Sequence, residues 1–160
     1  MTISQFTHSL INNPDQIVKI KGSSKKILGF AEFCTVNLGD ANYFKIAFDD
    51  HTSLLIIPND ELVFYTDEPI KQFAEIPDAD IGNKKMISFR GKQYQLENKN
   101  DYQYVIRLIK GDYQSIEGEV KFSDYMSTDG SDDMLSLGWI VRTGERADLN
   151  PKLIALEDIA

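Results

Sequence analysis

The chain has 160 residues, enough for one domain with a sizeable core. Apolar residues make up 42% and charged residues 26%, ordinary globular values that exclude a wholly disordered chain. The formal net charge of −8 argues against DNA, RNA or anionic lipid as a partner, since these need clustered Lys and Arg, and no apolar run approaches the ~18 residues of a membrane span.

Nine Phe and seven Tyr stand against one Trp, a balance that suits pleated, half-buried surfaces. The first residues carry neither a basic region nor a continuous apolar stretch, so no secretory signal is expected and the expected location is cytoplasmic. Ile3, Phe6, Leu10 and Ile11 fall at helical spacing. They predict a two-turn helix capped by Thr2 or Ser4 and ended by Asn12-Asn13-Pro14-Asp15. Beyond Pro14 the apolar period changes to two. Strands are expected over 16–21, 27–36, 43–48, 53–57 and 62–65, with turns at 22–24, 38–42, 49–52 and 58–60. Lys19, Lys21, Lys25 and Lys26 form the one basic cluster, expected to offset neighbouring carboxylates.

Residues 67–85 break the pattern with Asp67, Pro69, Pro77, Asp78, Asp80 and Gly82. They read as an irregular connection, with one helical turn a possibility over 70–76, between halves spanning 14–66 and 86–160. Each half is small for a core of its own, so a single domain over 1–160 is expected. Strands resume over 86–89, 93–97, 102–109, 115–122 and 134–141. Turns are expected at Arg90-Gly91-Lys92, Asn98–Asp101 and Lys110-Gly111-Asp112, and a polar loop over 123–133. The segment 150–160 fits a further strand better than a helix begun by Asn150 and Pro151.

Candidate chemistry is sparse. Asp49, Asp50 and His51 are the densest set of catalytic-type side chains, and a carboxylate beside an imidazole can act as a general base or a metal ligand. They sit at an expected hairpin tip, where turn chemistry already favours Asp, so the turn reading is preferred. Asp124, Asp129, Asp132 and Asp133 surround Gly130, but a calcium loop centred there would place Tyr125 and Ser136 at its first and last ligand positions, so no metal site is expected. Cys34, the single cysteine, reads as a buried thiol. Trp139, Arg142 and Arg146 combine residue types favoured at interface hot spots and are the candidate partner surface. No phosphate loop, nucleophile elbow or zinc spacing occurs, and no cofactor is expected.

Two stretches are similar to uncharacterised bacterial proteins of the YjfK-like kind. One is Tyr43 to Ile56, an aromatic strand, an acidic turn and an apolar strand; the other is Met134 to Trp139 with Gly144 to Leu149. The resemblance implies a bacterial, cytoplasmic, β-rich protein and supplies no catalytic residues. The sequence as a whole predicts a mainly β, antiparallel meander of nine to eleven strands, forming a sandwich or distorted barrel with a short N-terminal helix. The expected function is a non-catalytic adaptor, inhibitor or immunity-type module whose partner has a basic surface. The alternative is a small carboxylate-dependent hydrolase or ligand-binding enzyme.

Overall fold

The computed structural model describes residues 1–37, 42–67 and 73–159. The turn expected at 38–42, apart from Asn42, and the start of the segment from Ile70 lie outside the described residues. Helix α1 (Ile3–Asn12) begins with a capping box in which Thr2 Oγ1 accepts from Gln5 N and Gln5 Oε1 accepts from Thr2 N. Its buried residues Ile3, Phe6 and Leu10 fall on one stripe.

The strands are β1 (Ile17–Ile20), β2 (Ser23–Thr35), β3 (Tyr43–Phe48), β4 (Thr52–Ile57), β5 (Leu62–Asp67) and β6 (Met86–Phe89). They continue with β7 (Lys92–Lys110), a one-turn helix α2 (Tyr113–Ile116), β8 (Val120–Ser127), β9 (Met134–Ile140), β10 (Arg146–Leu149) and β11 (Lys152–Leu153). All pairings are antiparallel, in the order β10-β9-β8-β7-β2-β3-β4-β5-β11, with β1 added to β2 and β6 to β7. The halves on either side of residues 67–85 share this one sheet, because β2 pairs with β7. Two-residue turns close β1–β2 and β6–β7; Lys21-Gly22 and Arg90-Gly91 are left-handed at both positions, the conformation that matches strand twist in a tight hairpin.

Several elements depart from the expected boundaries. The turn expected at Asn98–Asp101 is absorbed into β7, where register shifts between Leu96 and Asp101 bend one 19-residue strand. Asp101 fixes that bend from full burial, accepting from Asn37 N at 2.9 Å, Asn98 Nδ2 at 2.9 Å and Tyr102 N at 2.7 Å. The strand expected from Ser115 is replaced by α2, capped by Asp112, and β8 runs through Asp124 to Ser127 where a loop was expected. Residues 146–149 form β10, and the end of the chain combines β11 with a short 3-10 turn at Leu156–Asp158.

The sheet is rolled but its hydrogen-bond ladder does not close. Its two edge strands, β10 and β11, are consecutive in the chain with Asn150 and Pro151 between them. Three residue steps span about 10 Å at most, so the opposite edges are held that close. Two apolar layers cover the outside. Ile3, Phe6 and Leu10 of α1, Val18 and Ile20 of β1, and Ile159 pack on the outer face of β2–β5. Phe73, Ile76 and Ile81 pack with β6 on the outer face of β7–β9 around Tyr125 and Leu135. Tyr125 Oη accepts from Gly82 N at 3.1 Å and donates to Lys84 O at 2.8 Å, tying the connection to the sheet. Among the described residues no helix is long and apolar enough to cross a membrane.

Candidate functional site

Successive side chains of a strand point to opposite faces. On β3 the outer cluster takes Phe44, Ile46 and Phe48, leaving Tyr43 and Lys45 on the inner face; on β4 it takes Leu54 and Ile56, leaving Leu55 and Ile57. On β8 Tyr125 faces out while Val120, Phe122 and Asp124 face in. The inner faces of eight strands, β2–β5 and β7–β10, thereby enclose a cavity of about 410 Å³. That volume lies within the range of small-molecule sites. Exposed Asp60 and half-buried Asn42 mark its open end, and Leu55, Ile57, Phe64, Phe122 and Leu149 supply apolar wall.

A few polar groups interrupt that wall. Lys45, 7% exposed, donates to Glu117 Oε2 at 3.1 Å, a nearly buried ion pair in which each charge offsets the other. Tyr43 donates its hydroxyl hydrogen to Gln103 Oε1, and Gln103 Nε2 donates to Gly118 O at 3.0 Å. Burial pushes the Tyr43 hydroxyl well above its ordinary pKa, and the carboxylates of Asp124, Glu117 and Asp101 add to the effect. Asp124 is hydrogen-bonded by Ser136 and Asn98. Its carboxyl is pushed up to about 6, first by burial and further by Asp101, against the pull of those two hydrogen bonds. Thr35, also in the wall, is 4% exposed, and its hydroxyl has no hydrogen-bond partner among the described residues. Buried polar groups are nearly always satisfied, so this one marks a place where the fold alone does not complete the bonding.

The residues singled out from sequence lie elsewhere. Asp49, Asp50 and His51 form the three-residue tip between β3 and β4, and none of them lines the cavity. Asp49 Oδ1 accepts from Lys26 N at 3.1 Å. Asp50 pairs with the buried Lys25 and accepts from Thr52 N at 3.2 Å. Burial pushes its carboxyl up, but the hydrogen bonds of Lys25 and Thr52 outweigh this and hold it below its usual value. His51 takes the left-handed conformation, φ 63°, that ends such a loop. These contacts fasten the tip to β2.

Trp139 is half-buried and packs against the outer cluster that holds Ile76 and Leu137. Arg142 is exposed in the turn after β9. Arg146, read from sequence as a surface group, is 8% exposed. Its guanidinium grips Asp148 at 2.7 and 3.2 Å, Asp78 at 2.5 Å and Ile76 O at 3.0 Å. Asp148 in turn accepts from Phe73 N at 2.7 Å. This buried network pins residues 73–78 to β10. Asp129 and Asp133 are held below the usual carboxylate range, Asp129 by Ser127 and Ser131, Asp133 by Lys152 and Lys92. Among the described residues no three His, Cys, Asp or Glu side chains gather as a metal site requires.

Sequence reasoning missed the cavity because the alternation in β3 separates its two faces without showing that one of them meets an enclosed space. One signal was present: Leu54-Leu55-Ile56-Ile57 is continuously apolar, as a strand covered on both faces should be. No protein-family model, curated protein or solved structure matches the chain.

Proposed function

We propose that the protein is a binding module whose ligand is a small, mainly apolar molecule held inside the rolled sheet. The observation that carries this reading is the cavity of about 410 Å³, walled by aliphatic and aromatic side chains with a few converging polar groups. An eight-strand enclosure has room for one small ligand beyond its own side chains. Binding is favoured over turnover because the ion pair of Lys45 and Glu117 is self-compensating and the imidazole of His51 sits at the hairpin tip, about 13 Å along β4 from Leu55.

The test is titration with N-phenyl-1-naphthylamine, an uncharged dye that brightens in apolar surroundings. Saturable binding to the wild type, abolished in a folded Leu55→Trp variant whose indole fills the cavity, is the expected result. Dye binding left intact by Leu55→Trp, or no saturable binding at all, would overturn the reading.

A further inference from the structure

We infer that the ligand carries a protonated amine, received inside the cavity by the Asp124 carboxylate. This rests on the cavity being the binding site. Within the wall the positive charge of Lys45 is matched by Glu117 at 3.1 Å. Asp60 at the open end and Asp124 in the interior remain, so the charges facing the ligand sum to an excess of carboxylate. Among the described residues no basic side chain pairs with Asp124; its partners are the neutral Ser136 and Asn98, and its charged neighbour is another carboxylate, Asp101. Buried charges are normally paired, and a carboxylate has about four acceptor sites, of which two hydrogen bonds occupy only part.

Asp124 keeps some accessible surface although it sits deep among protein atoms, because that surface faces the cavity. An ammonium group at this position gains a charge-assisted hydrogen bond, and the Tyr43 hydroxyl lies in the same wall. A carboxylate ligand would meet Asp124, Asp101 and Glu117 with the same sign of charge. The hydroxyl of Thr35 offers an independent, unsatisfied polar group in the same wall. The groups that set the local field are Tyr43 and Lys45 of β3, Asp101 of β7, Glu117 after α2 and Asp60 before β5. With the Asp124 carboxyl near 6, amine binding weakens as the pH falls below that value.

The experiment displaces bound N-phenyl-1-naphthylamine with three compounds of equal chain length: octylamine, octanol and octanoate. At about pH 7.5 octylamine is expected to bind at least about ten-fold more tightly than either of the others. Asp124→Asn is expected to remove that advantage while leaving octanol affinity unchanged, which also shows that the variant keeps its cavity. Equal affinities for octylamine and octanol, or a preference for octanoate, would overturn the inference and leave the cavity reading standing. Failure of all three to displace a dye bound in the cavity would overturn it as well. Failure of the dye itself to bind removes both readings together. The wild-type comparison needs no variant, so it decides the matter even if Asp124→Asn does not fold.

Discussion

Replacing Asp124 by Asn changes the dependence of stability on pH in a direction opposite to that of most carboxylates. In the folded protein this carboxyl is raised from 3.8 to about 6, chiefly by burial and then by Asp101, with Ser136 and Asn98 pulling the other way. The folded state therefore holds the proton more tightly than the unfolded chain. Stability from this group is fully present below about pH 3.8 and is lost as the pH rises through about 6. At 1.36 kcal/mol per pH unit the interval amounts to about 3 kcal/mol. Asn keeps the size and one acceptor oxygen but does not titrate. The two proteins should match near about pH 4 and diverge above it, with Asp124→Asn the more stable by about 3 kcal/mol at about pH 8. Urea unfolding at a series of pH values measures this, because titrating groups that do not interact with Asp124 are common to both proteins and cancel in the difference. A difference that stays flat with pH, or a wild type that is the more stable at pH 8, would refute the argument that Asp124 is a desolvated, unpaired carboxylate.

Two further outcomes follow from packing. Arg146→Ala leaves Asp148, 2% exposed, without its cation and unpins residues 73–78, so a loss of about 3–5 kcal/mol is expected in chemical denaturation. A loss below about 1 kcal/mol would show that water reaches Asp148. Gly138→Ala would place a methyl group 2.1 Å from Lys121 O and 2.8 Å from Phe122 Cα, both backbone atoms of β8. The β8–β9 pair must part to admit it, at about 1–3 kcal/mol, and an unchanged thermal midpoint would contradict so tight a contact.

Much of the architecture was legible because local rules and global fold agree in it. Of the two expected caps, Thr2 and Ser4, Thr2 is the one that caps α1, and the period of two in Tyr43–Phe48 matches β3 with its observed bounds. The bend in β7 was not legible, since Asn98–Asp101 has the composition of a turn. Only the hydrogen bond that buried Asp101 accepts from Asn37 N, distant in sequence, shows why the strand continues. Arg146 shows the same limit: its partners Asp78 and Ile76 come from the far side of the chain, and no local pattern announces a buried guanidinium. The cavity was hidden by a sound default. Polar positions on an antiparallel strand usually meet solvent, whereas here Tyr43 and Lys45 meet an interior space that exists only once eight strands have curled together.

The short passage through Asn150 and Pro151 gives this container a latch. Every other strand pair on the path is complete without residues 146–153, which pair with β9 on one side and β5 on the other and hold residues 73–78 through Arg146 and Asp148. Sealing therefore depends on a segment that follows every other strand in the chain. On the binding reading proposed above, detaching that one ribbon together with its hold on residues 73–78 would uncover the interior and leave the other strand pairings intact, a local opening that costs less than unfolding the whole sheet.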